Sequence, residues 1–316
     1  MVTRVAVLDD YQQVAAGLAD WAGRLPGAQV TFFGEHIAGE AELVAALEPF
    51  DVVVAMRERT PFPRAVLERL PRLRLLVTTG MRNVAIDLAA AADNGVTVCG
   101  TRSHASGTAE LTWAMIMGLV RGVAADDARM RDGGWQGGLA QDLDGEVLGV
   151  LGLGRLGARV ARIGAAFGMD VIAWSPNLTE ERAAEQGARR VDKAELFAAA
   201  KIVTVHMVLS DRSRGLVGEP ELSAMRADGY LVNTSRFGLL DPDALRRALE
   251  SGRPAGVALD VFDTEPLPRD HWLRSAPRTL LSPHMGYVTG KSYRVFFADV
   301  VEDIAAFEAG SPLRAL

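Results

Sequence analysis

Three short stretches, each just beyond an apolar run, hold side chains suited to working together on one small molecule. "LVNTSRFGLLD" carries Arg236, "ALDVFDTEPLP" carries Asp260 and Glu265, and "LLSPHMGY" carries His284. Arg236 offers a permanently charged fork that fits a carboxylate and an adjacent carbonyl or hydroxyl oxygen. An imidazole exchanges a proton near neutrality, so His284 can give or take the proton of a hydroxyl group. A carboxylate at Glu265 bonded to that ring would hold its orientation and keep the acid form available. Taken singly, each has a plainer reading: Arg236 as a surface ion pair, Glu265 as part of the turn before Pro266, His284 as a structural histidine. Their recurrence at successive strand ends favours shared chemistry, because open parallel sheets bind ligands outside those ends.

Upstream, "VLGLGRLG" sets Gly152, Gly154 and Gly157 in the G-x-G-x-x-G spacing. The first suits a tight turn, the second a close approach to a pyrophosphate, and the third close helix–strand packing. The helix that follows would present its free N–H groups to the phosphates. Glycines also punctuate ordinary turns, but a position between a strand and an amphipathic helix favours a dinucleotide. Arg155, inside the loop, either lies over a phosphate or points to solvent. Roughly twenty residues further on, where an acid usually receives the ribose hydroxyls, "DVIAWSPN" has Trp174, Ser175, Pro176 and Asn177. Asp170 falls at the wrong end of that strand. Ser175 and Asn177 can donate to a hydroxyl or to a phosphate. No acid repels a 2′-phosphate here, so the expected cofactor is NAD(P), with NADP tolerated or preferred; Arg182 is a further phosphate partner to consider.

These groups must be positioned by two βα series. In the first, apolar runs at 5–9, 29–34, 51–56, 73–78 and 96–100 alternate with helical stretches at 41–48, 63–70 and 85–95. The second begins near residue 146 with "EVLGVLGLG" and a helix that places Leu156, Val160, Ile163 and Phe167 on one face. Strands follow at "DVIAWS", "KIVTVHM", "GYLVNTS", "AGVALDVF" and "RTLLSPH". A long apolar helix at 108–123 joins the series, and a helix at 292–310 ends the chain. Apolar strands alternating with helices predict α/β architecture, here two doubly wound parallel-sheet domains.

The 316 residues suit two domains, with 49% hydrophobic and 23% charged residues in an ordinary globular balance. A net charge of −6 without Lys/Arg runs argues against a nucleic-acid surface. No apolar stretch is long enough to span a membrane, and "MVTRVAVLDD" reads as a strand rather than a signal peptide. The single cysteine, Cys99, fits a small core residue and a reducing cytoplasm. No metal is expected.

At the motifs quoted above the sequence resembles the D-isomer-specific 2-hydroxyacid dehydrogenases, a family that includes phosphoglycerate, glyoxylate/hydroxypyruvate and formate dehydrogenases. The resemblance covers almost the whole chain, with "LDGEVLGVLGLGRLG", "VHMVLSDRSRGLVG", "LVNTSRFGLLD", "ALDVFDTEPLP" and "LLSPHMGY" in the family's order and spacing. It implies a Rossmann-type cofactor domain, 102–287, inserted into a flavodoxin-like substrate domain of 1–101 and 288–316, in the short form without a regulatory domain. It implies that Arg236 binds and polarises the substrate, that His284 is the acid/base and that Glu265 is its partner. Asp260 would meet the nicotinamide carboxamide and Thr108 would lie beside the ring. Leu156 and His206 would be among the cofactor contacts, and Thr234 and Ser235 would line the groove through their backbone. Backbone N–H groups around Gly80, Met81 and Arg82 would receive the substrate carboxylate.

Family members are usually dimers with the long helix near the interface, so a homodimer is expected. Three departures stand out: the missing acid after "DVIAW", Val208 where proline is common, and Arg82 in "TTGMRNVAID" where a second glycine is common. Arg82 either adds a cationic contact to an anionic substrate or points to solvent. The expected reaction is hydride transfer between NAD(P)H and a small 2-keto or 2-hydroxy acid, with domain closure excluding water. Two alternatives remain: a formate-type dehydrogenase, which usually has glutamine at Glu265, and an NAD(H)-sensing interaction protein of the same fold.

Overall fold

The computed structural model describes residues 2–104 and 106–316. The chain divides into unit 1, Met1–His104 with Thr289–Leu316, and unit 2, Ala105–Val288.

Unit 1 is built on short β-branched runs: β1 (Arg4–Val7), β2 (Gln29–Phe32), β3 (Val52–Ala55), β4 (Leu75–Thr78) and β5 (Thr97–Gly100). Every residue of β3 and β4 is buried, as parallel strands covered by helices on both faces require. Among the described residues these strands pair in parallel in the order β2-β1-β3-β4-β5, the flavodoxin-like arrangement. The β5 edge is covered by the last residues of the chain. Ala315 bridges Cys99 antiparallel, Gly100 N–H donates to Arg314 C=O, and Leu316 N–H donates to Val98 C=O. Backbone groups that an open edge would present are thereby used. Cys99 is enclosed and its thiol is pushed up to about 11 by burial, so it is a small core residue rather than a nucleophile.

Unit 2 holds β6 (Val147–Leu151), β7 (Asp170–Trp174), β8 (Arg189–Arg190), β9 (Ile202–Val205), β10 (Tyr230–Asn233), β11 (Gly256–Leu259) and β12 (Thr279–Leu281). Among the described residues the order is β12-β11-β10-β9-β6-β7-β8, again with parallel pairing throughout. The chain direction across the sheet reverses between β6 and β9, and that switch point is where doubly wound sheets bind nucleotides. The expected long helix is Ser106–Arg121, packed through Ala109, Thr112, Trp113, Ile116 and Val120.

One face was misplaced by the apolar spacing. Helix Arg155–Ala166 buries Gly157, Ala158, Val160, Ala161 and Gly164, while Leu156 and Ile163 are half-buried and Phe167, beyond its end, is 42% exposed. Small residues win this face because the helix lies almost on the sheet. A Cβ on Gly164 would sit 2.4 Å from the Leu148 side chain. Phe167 instead packs at the rim against Trp113, with ring centroids 5.0 Å apart.

Among the described residues no helix is long and apolar enough to cross a membrane, and no group of three or more His, Cys, Asp or Glu could hold a metal ion.

The C-terminal helix of unit 1, Gly290–Glu308, carries Asp299 and Asp303 on one buried side. Burial pushes the Asp303 carboxyl up to about 6, against the opposing pull of Arg314, whose Nε donates to it at 2.9 Å. The folded chain therefore binds this proton more tightly than the unfolded chain. Stability contributed by the site is greatest below the ordinary value of 3.8 and is lost as pH rises through about 6. For Asp303→Asn, the unfolding free energy relative to wild type should rise between about pH 4 and pH 6 and then level off. Chemical denaturation across that range checks this; a difference independent of pH contradicts it.

Candidate active site

The glycine loop leaves β6 at the switch point. Gly152 has φ 102°, and a Cβ there would lie 2.6 Å from the His206 carbonyl oxygen. Gly157 has no room either, since its Cβ would meet Gly152 O at 2.0 Å. These two glycines are required by the protein's own packing. Gly154 is different: it is exposed, its φ is −83°, and a Cβ would meet nothing within 4 Å. Nothing inside the chain needs glycine at that position, which is what a close approach by a ligand predicts. Helix Arg155–Ala166 starts directly after it, with Ala158 N–H donating to Gly154 C=O, so the N–H groups of the first turn face outward for an anion. Arg155 is exposed and Leu156 half-buried beside that turn.

Ser175, at the carboxyl end of β7, is part of this loop. Its Oγ accepts the Leu153 N–H at 3.0 Å, which leaves the hydroxyl proton available to a ligand oxygen. Asn177 is exposed beside it, while Asp170 starts β7 at the opposite end. Downstream, Thr179 Oγ1 caps helix Glu180–Ala184 by accepting Arg182 N–H. The Glu181 carboxyl is held below its ordinary range by bonds to its own backbone and to Thr179.

His206 follows β9 on the other side of the switch point. Its Nε2 lies 2.9 Å from Thr204 Oγ1, while Nδ1 is buried without a hydrogen-bond partner. Burial pushes the ring down to about 4, so it is neutral at physiological pH. An orphaned ring nitrogen beside a glycine cradle fits a polar ligand that would complete it. Val208 points to solvent at 77% exposure, and the turn that lacks a proline is closed by Ser213, whose Oγ donates to Val208 O at 2.7 Å.

β10, β11 and β12 are neighbours in the sheet, so their carboxyl ends bring Arg236, Asp260 and His284 onto one edge. Asn233, fully buried, shapes the first of these turns: Oδ1 accepts Ser235 N–H and Nδ2 donates to Arg236 O. Ser235 Oγ donates to Val205 O, and Thr234 Oγ1 lies 2.8 Å from Thr112 Oγ1. Arg236 is half-buried with Nη1 donating to Ser235 O at 2.7 Å. Asn233 was not anticipated, although the "NTS" run after an apolar strand is the kind of signal that marks such a turn.

Asp260 is fully buried, and its carboxylate accepts the N–H groups of Met285 (2.7 Å) and Gly286 (2.9 Å). Burial raises its carboxyl above the ordinary range, opposed by a Ser282 hydroxyl and those N–H bonds. Thr108 Oγ1 donates to Gly286 O, closing the same knot. His284 sits within it at φ 55°, a left-handed backbone uncommon outside glycine. Its Nδ1 lies 2.5 Å from Glu265 Oε2, and Glu265 Oε1 accepts Phe262 N–H at 2.9 Å. An ionised carboxylate only accepts, so Nδ1 carries the proton of the pair and Nε2 is the ring's other face.

Gly80, Met81 and Arg82 belong to unit 1, after β4. Gly80 has φ 99° and donates its N–H to Thr101 Oγ1, while Met81 and Arg82 are exposed. Asn83 is buried and structural, donating to Arg57 O and Thr78 Oγ1. The sequence reading missed Arg57, whose guanidinium lies over Gly80 and donates to Thr79 O.

A glycine loop at the switch point of a parallel sheet, with a carboxylate-held histidine after another strand of that sheet, is an arrangement compatible with a nicotinamide-type oxidoreductase. Residues 113–286 match the family described as D-isomer specific 2-hydroxyacid dehydrogenase, NAD binding domain. Glyoxylate reductase of Aeropyrum pernix is 36% identical over 255 residues, covering 78% of this chain and 76% of the relative. The D-3-phosphoglycerate dehydrogenase of Bacillus subtilis is 33% identical over 270 residues, and the match spans 84% of this chain but only 51% of that longer protein. The crystal structure of phosphoglycerate oxidoreductase from Vibrio cholerae superposes with a TM-score of 0.93 at 35% identity, over 98% of this chain and all of the other. The chain belongs to the D-isomer-specific 2-hydroxyacid dehydrogenase family.

The glycines separate two causes of loss. Gly154→Ala should keep the wild-type Tm yet weaken NADH binding by about tenfold or more, roughly 1.4 kcal/mol. Gly157→Ala should lower Tm, because Gly152 O must move. Paired thermal melts and NADH fluorescence titrations check this; unchanged NADH affinity in Gly154→Ala contradicts a cofactor at this loop.

Proposed function

We propose that the chain is an NAD(P)-dependent D-2-hydroxyacid dehydrogenase acting on a small anionic 2-keto or 2-hydroxy acid. The His284–Glu265 pair carries this reading, because the carboxylate takes Nδ1 and is itself fixed by the Phe262 N–H, leaving Nε2 to exchange a proton. A bound nicotinamide would supply hydride to C2 of the keto acid, or accept it in the reverse direction. In the reducing direction His284 Nε2 gives its proton to the carbonyl oxygen, and Glu265 stabilises the ring in the correct orientation. Arg236 holds the carboxylate and the developing negative charge on that oxygen. The backbone N–H groups of Met81 and Arg82 receive the carboxylate, the Gly80 N–H being already given to Thr101 Oγ1, and the Arg82 guanidinium adds to its binding. A carboxylate rather than an amide at Glu265 supports acid/base chemistry over formate oxidation, which needs none.

For the cofactor, the first turn of helix Arg155–Ala166 takes the pyrophosphate and His206 Nδ1 finds its missing partner there. Lone pairs of Asp260 not used by Met285 and Gly286 accept from the carboxamide. No acid ends β7, and Ser175 donates its hydroxyl proton equally to a ribose hydroxyl or a phosphate, so NADP is accepted beside NAD. A panel of 2-keto acids run with NADH and NADPH in parallel tests the reading. Wild type turns over at least one acid, and His284→Ala lowers kcat by about 10²–10⁴ while NADH still binds. Ser175→Asp moves the NADPH/NADH ratio of kcat/KM towards NADH. Full turnover by His284→Ala, or wild-type cofactor binding with no turnover, as in a cofactor-sensing interaction protein, contradicts it.

The working form is proposed to be a homodimer. Every residue from Val123 to Ala140 is exposed, including Val123, Met130, Trp135 (72%) and Leu139 (99%), before Gln141 N–H returns to Val120 O. Large apolar side chains so displayed are what a second copy would cover. Sedimentation equilibrium should give a dimer for wild type and a monomer for a Trp135→Lys, Leu139→Lys variant; a wild-type monomer at micromolar concentration contradicts this.

A further inference from the structure

The chain passes from unit 1 to unit 2 after His104 and returns after Val288. Within unit 1, both passages are bonded to the same helix, Gly290–Glu308. On the outgoing side Arg102 grips Asp299 four times over: the backbone N–H donates to Oδ2 at 2.8 Å, Nη2 to Oδ1 at 2.6 Å, and Nε to both oxygens at 3.0 and 3.2 Å. Two residues later, His104 O accepts from Ser292 Oγ at 3.4 Å. On the returning side Thr289 caps that helix, accepting Ser292 N–H and donating its own hydroxyl proton to Ser292 Oγ. Ser292 therefore touches both passages.

Asp299 is buried while the Arg102 side chain is 71% exposed. A pair this exposed at one end normally contributes little to stability. Its geometry is nevertheless the bidentate fork that fixes direction as well as distance. Burial alone would raise the Asp299 carboxyl; Arg102, through its side chain and its N–H, and Arg314 outweigh it and hold the group ionised. Arg314 also donates to Asp299 O and lies 3.8 Å from Oδ1, so loss of Arg102 does not leave a buried charge alone. The pair thus holds a point on the chain more than it holds the unit together.

We propose that Arg102 and Asp299 are a positioning pair that fixes where the chain leaves unit 1, and that turnover depends on this clamp. The proposal rests on the dehydrogenase reading, and it assigns control of the exit segment to a residue outside the reacting groups. Arg102→Met keeps the stem and removes the fork; Arg102→Lys restores one charged donor. The readouts are kcat and KM for the keto acid, the NADH Kd, Tm, and hydrogen exchange of the 101–104 segment.

In Arg102→Met, exchange of 101–104 is expected to speed up by about tenfold and kcat to fall by about fivefold with KM raised. Tm and the NADH Kd, a property of unit 2, stay at wild-type values, and Arg102→Lys recovers part of kcat. Unchanged exchange, or faster exchange with unchanged kcat and KM, overturns the proposal, as does a fall in Tm that accounts for the lost activity. If wild type turns over no keto acid, the dehydrogenase reading fails separately. NADH-dependent slowing of exchange at 101–104 then decides the clamp: its loss in Arg102→Met supports it, and its persistence overturns it.

Discussion

The buried Asp260 carboxylate is the constraint on which the rest of the active edge depends. It receives two consecutive N–H groups, from Met285 and Gly286, and so dictates the path of the chain just after His284. That path holds His284 at φ 55°, which costs a non-glycine residue about 1–2 kcal/mol. Two bonds from successive N–H groups to the buried carboxylate hold the chain in that conformation. A residue expected to serve a ligand therefore also serves the fold.

The same economy of position runs along the sheet. β10, β11 and β12 are adjacent, so three loops with no sequence in common deliver an arginine, a carboxylate and a histidine to one edge. Asn233 closes the first loop, Glu265 closes the second by accepting Phe262 N–H, and Asp260 ties the second to the third through Met285 and Gly286. Across the switch point, Gly152 leaves room for the His206 backbone, which a Cβ there would strike. Ser175 ties the end of β7 into the glycine loop through Leu153 N–H. These are rigid backbone solutions, suited to holding groups in place rather than searching for them.

Much of this was legible before any coordinates. The apolar β-branched runs located every strand but β8, because parallel strands buried on both faces leave a clear pattern while the exposed Arg189–Arg190 pair carries no apolar run. The glycine spacing and the three polar loops pointed to residues that the structure gathers at the switch point and along one edge of the same sheet. Other features were hidden for physical reasons. On helix Arg155–Ala166 apolar periodicity pointed to Leu156 and Phe167, yet close approach to the sheet selected glycine and alanine. Arg57 looked like any surface charge, because its place over Gly80 depends on two strands separated by the sequence of a whole helix. The exposed excursion from Val123 to Ala140 could not be read either, since its composition reports a surface without saying what covers it. Long-range pairings such as Arg102 with Asp299 are invisible to any local pattern.

In the proposed reaction, Glu265 and the Asp260-anchored turn commit Nδ1 of His284 and leave Nε2 for the proton that moves. Nitrogen-15 NMR of the histidine-labelled protein reads this directly. Neutral His284 is expected to carry its proton on Nδ1, in a strongly deshielded hydrogen bond that Glu265→Gln weakens, with Nε2 bare. A neutral ring protonated at Nε2 in the wild-type protein would contradict it.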